Sequence, residues 1–319
     1  MLSNFWGLIQ NENMKIYRRG SFKVMMIILI GLILAIGLIL RLNAPQASTD
    51  SHWKQELAAQ VSQDKKQLQA VRSDRTNTEN LKRSIAINQY RIDHNLKPAQ
   101  SETLWNFVTQ VAANMVTIIG VFTVIVVSTS IASEFDSGTI KLLLIRPIYR
   151  TEILLSKYIA ALLFTVFSLI VLFIFSWLIG GILFGFGGAA EAHLVYAAGE
   201  VHRASWILAI WQDYLLDCVS LVMTVTAAGL IAAAFRNGGL AIGISIFMML
   251  AGPTATAILS GYDWVKYILF ANTDLTQYNS GQQPRPEMTL GFSLITLAVY
   301  YIIFVLIGWL FFTKRDIKA

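Results

Sequence analysis

The sequence has little charge and almost no cysteine, and each shortage excludes a class of protein. Of its 319 residues, 14% are charged and 55% are hydrophobic, whereas soluble domains carry about 25% charged residues. A soluble domain cannot bury so large an apolar fraction, because much of its surface must face water. The single cysteine, Cys218, excludes an intrachain disulfide and a thiolate metal cluster. The composition therefore predicts a membrane protein with several spans.

Motifs for nucleotide binding and for catalysis are also missing from the sequence. It contains no G-x-x-x-x-G-K-[ST] phosphate loop, no H-E-x-x-H and no G-x-S-x-G, so we expect neither ATP hydrolysis by this chain nor another enzymatic activity. The four histidines lack metal-ligand spacing, and no metal or cofactor is expected to bind the chain itself. A net charge of +6 suggests nucleic acid, but basic residues of membrane proteins collect at the cytoplasmic face. We therefore expect no nucleic-acid partner.

Six apolar runs are each long enough to cross a bilayer as a helix, which takes roughly 20 residues. They predict an all-α membrane protein with spans at residues 24–40, 105–132, 158–186, 204–235, 240–259 and 290–312. The remaining segments are an amphipathic interfacial helix (1–23), an insertion (41–104), a loop (133–157), a loop with a short interfacial helix at 263–270 (260–289) and a tail (313–319).

Lysine and arginine predict the orientation of these spans. The segments on the side of both termini carry twelve basic residues, and the short loops on the opposite side carry three. Basic residues mark the cytoplasmic side, so both termini are predicted to be cytoplasmic. The insertion has ten basic residues, but loops of about 60 residues cross the membrane largely regardless of charge.

The two soluble segments each leave alternatives open. Polar residues 10–13 interrupt the first apolar stretch, which favours a separate interfacial helix over a frayed start of the first span. The insertion is predicted to form an external hairpin of two helices, with Leu57 and Val61 on the first and Leu81 and Ile85 on the second. Two such helices bury little area alone, so a partner copy or the membrane domain must cover them. A ligand-sensing hairpin, a lid over an exit path and a structural spacer all fit this pattern.

The loop after the second span holds the most informative residues. An amphipathic segment at 139–145 begins after a glycine and ends before a proline, with acids before it and arginines after it. A short helix held between two long spans transmits force, because a protein that grips it displaces both spans.

This loop resembles the first cytoplasmic loop of ABC-2 type transporter permeases, in which E-x-x-x-G-T-[IL]-x-x-L-L-x-x-P-[IV]-x-R-x-E is typical. The matching residues are Glu134, Gly138, Thr139, Ile140, Leu143, Leu144, Pro147, Ile148, Arg150 and Glu152, with Arg146 in the same stretch. The six spans, the N-terminal helix and the short helix before the last span extend the resemblance. It implies that these residues form a coupling region for a cytoplasmic ATPase. The alternative is an ordinary solvated loop with the basic residues of a cytoplasmic face.

The resemblance implies the membrane subunit of a bacterial ABC exporter in the cell membrane. Such a permease pairs with a second copy or a similar permease and with two copies of a separate ABC ATPase, which binds ATP and Mg²⁺. The expected substrate is an amphipathic compound such as an antimicrobial peptide, a drug or a lipid. Two other functions are alternatives: a membrane sensor whose external hairpin binds a ligand, and an ion-coupled carrier, which would favour charged residues near mid-membrane.

Two aspartates and two glycine patterns stand out within the spans. Asp213 and Asp217 lie four residues apart on one helical face near the outer end of the fourth span. They are predicted either to line an outer vestibule or to be solvated at headgroup level. Two G-x-x-x-G patterns, at residues 181–185 and 239–243, predict close helix approach.

Overall fold

The computed structural model describes residues 2–43, 53–70, 75–97, 103–136, 149–187, 193–197, 199–280, 283–285 and 287–314. Its helices are α1 (Leu2–Arg18), α2 (Gly20–Leu42), α3 (Trp53–Ala70), α4 (Arg75–Asp93), α5 (Leu104–Asp136), α6 (Arg150–Phe184), α7 (Trp206–Phe235), α8 (Gly238–Leu259), α9 (Leu269–Thr273), α10 (Gln277–Ser280) and α11 (Leu290–Lys314). Two strands, β1 (His193–Ala197) and β2 (Glu200–Ala204), and a 3₁₀ turn (Asp263–Tyr267) complete the described elements.

Six of the described helices are long and apolar enough to cross a membrane, namely α2, α5, α6, α7, α8 and α11. The predicted all-α membrane fold with six spans is therefore confirmed. The largest differences from the predicted boundaries lie at three helix ends. Helix α2 begins at Gly20 instead of residue 24, α5 ends at Asp136 instead of residue 132, and α6 begins at Arg150 instead of residue 158. The charges of Glu152 and Lys157 lower the local hydropathy, but they do not interrupt the helix, whose apolar residues continue at helical spacing.

Helix α5 is the central helix of the bundle. It packs against α6, α7 and α8, and it is the most deeply buried of the six spans. Helices α8 and α11 lie at the periphery and expose most of their apolar side chains. Lipid is the natural cover for such surfaces, because apolar side chains lose nothing by facing hydrocarbon.

Two glycines of neighbouring helices allow close packing against Phe107 of α5. A Cβ atom on Gly180 of α6 would lie 2.7 Å from this ring, and one on Gly37 of α2 would lie 3.3 Å from it. The two predicted glycine patterns do not lie at such contacts. A Cβ on Gly181 would meet the ring of Phe186 in the same chain segment, and Gly243 has no described neighbour within 4 Å. The described contacts between helices therefore do not use these two patterns.

One end of the bundle, here called the terminal side, carries α1, the end of α11 and the helix ends that flank residues 137–149. Extended backbone at Arg19 separates α1 from α2, so the prediction of a separate first helix is confirmed. Helix α1 packs against α6 and buries Ile9 and Ile16, whereas Trp6 is exposed. Tyr17 packs edge-on against Phe167 of α6, and burial raises the pKa of its hydroxyl.

The opposite end, here called the hairpin side, carries α3, α4, the strands, α9 and α10. Helices α3 and α4 pack against each other, and α4 also packs against both strands. The strands pair antiparallel, from His193 opposite Ala204 to Ala197 opposite Glu200. This β-hairpin was not predicted. The predicted short helix at 263–270 is interrupted by extended backbone at Ile268, which divides it into the 3₁₀ turn and α9. Helix α10 lies within the stretch predicted as loop.

Candidate coupling site on the terminal side

The predicted coupling residues lie at the junction between α5 and α6. Gly138, Thr139, Ile140, Leu143, Leu144, Arg146 and Pro147 fall outside the described residues. Glu134 lies in the last turn of α5, and its side chain also falls outside the description. Arg150 and Glu152 are described and occupy the first turn of α6.

The segment at residues 137–149 joins two helices that both cross the bundle. Helix α5 ends at Asp136 and α6 begins at Arg150, so 13 residues connect them. The two helices pack against each other along their length, and α5 also contacts α7 and α8. A force applied to this segment therefore reaches the centre of the bundle directly.

The first residue of α6 is fastened to the last helix of the chain. Arg150 Nη1 donates a hydrogen bond to the carbonyl oxygen of Thr313, at 3.2 Å. Thr313 lies in the last turn of α11, where carbonyl groups have no helical partner and carry the negative end of the helix dipole. A guanidinium is a favourable partner for such a carbonyl, so Arg150 joins the start of α6 to the end of α11.

Two turns further along α6, a buried ion pair joins α6 to α1. Lys157 Nζ lies 3.0 Å from Glu12 Oε2, and the side chains are 2% and 9% exposed. Lys15 Nζ lies 2.6 Å from Glu12 Oε1, but Lys15 is 46% exposed. Buried charges are unfavourable unless they are paired. The Glu12–Lys157 pair therefore requires that α1 stay docked on α6.

Neither the partner of Lys157 nor the role of Glu12 is predicted by the sequence. The two residues are 145 positions apart, so no local pattern links them. One signal was available: Glu12 is the only acid among the first 23 residues, and it lies in the polar stretch that interrupts their apolar pattern. A lone acid beside a predicted membrane surface indicates a specific basic partner.

The aspartates of α7 lie on the hairpin side, far along the chain from the coupling residues. Asn279 Nδ2 of α10 donates to Asp213 Oδ1 at 2.6 Å, and Gln212 Nε2 donates to Asn279 Oδ1 at 3.0 Å. Ser220 also donates to the carbonyl oxygen of Thr273, at the end of α9. Asp213 thus helps to fasten the short helices to α7. Asp217 forms no hydrogen bond or ion pair with the described part of the chain, and a vestibule at these aspartates stays a prediction.

Comparison with known sequences places the chain in a family. Residues 82–318 match the family described as "Protein of unknown function (DUF2705)". The chain belongs to this family. The DUF2705 match begins in α4 and contains the last five spans, so it includes Lys157 but not Glu12.

Two relatives come from Bacillus subtilis (strain 168). The chain is 45% identical to the uncharacterized protein YhcI over 313 residues, which cover 97% of this chain and 98% of YhcI. It is 31% identical to the uncharacterized membrane protein YdbK over 202 residues, which cover 62% of this chain and 77% of YdbK. The name of YdbK agrees with the six apolar helices, and this DUF2705 chain is a multi-pass membrane protein.

Proposed function

We propose that this chain is the membrane-spanning permease subunit of an ATP-driven ABC exporter. In this proposal the terminal side and both termini are cytoplasmic, and two copies of a separate ABC ATPase dock there and bind ATP and Mg²⁺. The chain pairs with a second copy or with a similar permease in the bacterial cell membrane. The expected substrate is an amphipathic compound such as an antimicrobial peptide, a drug or a lipid.

The observation that carries the proposal is the attachment of residues 137–149. This segment, which holds most of the permease-like motif, connects the central helix α5 to α6. Arg150 joins the same end of α6 to α11, and Lys157 joins it to α1. A protein that displaces the segment would therefore move α5 and α6 and, through these two side chains, α11 and α1. Conversion of ATPase closure into helix movement requires an arrangement of this kind.

The test is recovery of an ATP-binding partner with the tagged chain. Membranes of the native organism are extracted in mild detergent, the complex is captured, and ATP-binding subunits are labelled with azido-ATP and identified by mass spectrometry. The proposal expects one ABC ATPase at two copies per two permease subunits. Repeated capture of the intact chain without any ATP-binding subunit would refute it.

A second measurement tests the two helix ends that flank this segment. Glu134→Gln at the end of α5 and Arg150→Gln at the start of α6 are expected to reduce ATPase recovery, while membrane insertion stays normal. Lys23→Gln is the matched control, because Lys23 is exposed on α2, away from the junction of α5 and α6. If Lys23→Gln reduces recovery as much as Glu134→Gln and Arg150→Gln do, docking at this junction is wrong even if an ATPase binds elsewhere.

A membrane sensor is the second candidate, and the α3–α4 pair favours it. This pair lies between α2 and α5 in the chain and packs on the β-hairpin, so a ligand bound there can act on the spans. The two functions predict different partners. Capture of a kinase or a regulator in place of an ATPase would favour the sensor.

A further inference from the structure

A groove of about 440 Å³ runs along the α3–α4 pair. Six of its eight lining residues belong to α3 and two to α4. Polar donors form much of its wall, and apolar side chains form its floor. The donors are Ser62, Lys65, Lys66 and Gln69, and the floor includes Val61 and Ile92.

The donors share one face of α3, because positions three, four and seven residues apart align on a helix. None of the described lining residues is acidic, and neither lysine forms an ion pair in the described part of the chain. Asp64, next to Lys65 in sequence, instead accepts a hydrogen bond from Ser84 Oγ of α4 at 2.7 Å. One acid borders the groove: Asp93 accepts a hydrogen bond from Gln89 at 3.1 Å. Among the side chains that the structure describes, nothing neutralises the two lysines, so they present positive charge to a ligand.

The fold connects this groove to the spanning helices on the hairpin side. Helix α4 packs against both strands of the β-hairpin, and β2 ends at Ala204, two residues before the spanning helix α7 begins at Trp206. The groove therefore belongs to the part of the chain next to the hairpin-side ends of the spans, on the side where the headgroups of one leaflet lie. Ammonium groups and hydroxyls bind phosphate oxygens well, and an apolar floor suits the first carbons of a lipid.

We propose that the α3–α4 groove binds the headgroup of an anionic phospholipid. Lys65 and Lys66 contact the phosphate, Ser62 and Gln69 donate hydrogen bonds to the headgroup, and Val61 and Ile92 contact its glycerol end. The positive charge of the groove favours an anionic ligand. The apolar floor of the groove and its place on the hairpin side of the spans favour a lipid over an acidic peptide. The site does not depend on whether the chain transports anything.

The test measures lipid binding to the full chain in neutral detergent by mass spectrometry of the intact protein. The probes are dihexanoyl phosphatidylglycerol, dihexanoyl phosphatidylcholine, inorganic phosphate and hexaglutamate. We expect the double variant Lys65→Gln/Lys66→Gln to weaken phosphatidylglycerol binding roughly thirtyfold, since a lysine near an anionic lipid surface contributes about 1 kcal/mol and tenfold corresponds to about 1.4 kcal/mol. The matched control is Lys54→Gln/Lys97→Gln, which removes the same charge from exposed positions outside the groove.

The outcomes separate the proposal from its alternatives. Strong binding of phosphatidylglycerol that is lost in the groove variant and kept in the control supports it. Equal loss in both variants would show a general charge effect and overturn it. Equal or better binding of inorganic phosphate or of hexaglutamate would also overturn it, in favour of a free anion or an acidic peptide.

Discussion

Removal of Lys157 tests whether the buried ion pair holds α1 on α6. Lys157→Met keeps the length and most of the volume of the side chain but leaves Glu12 buried without its deepest partner. Loss of one member of a buried pair costs about 3–5 kcal/mol when the remaining charge is left without compensation. Glu12 and Lys157 are only 9% and 2% exposed, but Lys15 still contacts the Glu12 carboxylate from an exposed position, so the low end of this range applies. We expect the equilibrium for release of α1 to rise by about two orders of magnitude.

Thiol labelling measures this release. Ile9, which is 3% exposed on the face of α1 that packs against the bundle, is replaced by cysteine in a Cys218→Ala background. The labelling rate at residue 9 then reports how often α1 leaves its site. Lys15→Gln is the matched control, because Lys15 contacts the same carboxylate from an exposed position, where an ion pair contributes about 0.2–1 kcal/mol.

The double variant Glu12→Gln/Lys157→Met makes the test decisive. Replacement of both members of a buried pair by neutral groups is often close to neutral, so the double variant should label more slowly than Lys157→Met alone. If the effects of the two single substitutions simply add, the residues are not coupled. If Lys15→Gln and Lys157→Met accelerate labelling equally, burial of the pair does not govern the docking of α1.

Three further predictions concern packing, the short helices and pH. Gly180→Val should lower stability by about 1–3 kcal/mol, measured as a lower thermal midpoint in detergent, because its Cβ alone would lie 2.7 Å from Phe107. Gly243→Val is the control and should leave the thermal midpoint unchanged, because Gly243 has no described neighbour within 4 Å. Asn279→Ala removes the amide that joins α10 to α7, at a cost of about 1–3 kcal/mol, and should speed hydrogen exchange in α10. Burial, and to a smaller extent a nearby arginine, lowers the pKa of His193 below its ordinary 6.5. The folded state then binds fewer protons than the unfolded state, so stability falls as the pH drops from 6.5 to the lowered pKa. His193→Gln should flatten that part of the profile of stability against pH.

The six spans were predictable because each is a property of a single continuous segment. About 20 apolar residues in a row identify a membrane helix wherever it packs. The ends of the helices were less predictable. Residues 150–157 look like a loop by hydropathy, but Arg150 and Lys157 are helical because they have partners in α11 and α1. Those partners come from distant parts of the chain, so an average of hydropathy over neighbouring residues does not include them.

The β-hairpin and the short helix α10 were also missed by the sequence prediction, because each is short. Leu194, Val195 and Tyr196 favour a strand, and Gly199 has a positive φ of 90° at the turn that follows. This signal was present in the sequence, but it is short and follows a long apolar span. The contacts of the candidate coupling site were harder to predict. Arg150 finds its partner only where α11 packs against α6, and Glu12 finds its partner only where α1 packs against α6.

The hydrogen bond from Arg150 to Thr313 also sets an order of assembly. The donor and the acceptor are 163 positions apart, so the ribosome must add 163 residues after Arg150 before the acceptor exists. The earlier spans enter the membrane while the start of α6 still lacks this attachment. Only a chain that has inserted α11 completes the end of α6 on the terminal side. The contact between α6 and α11 is therefore available to a chain that has been synthesised through Thr313 and is withheld from a chain that stops before α11.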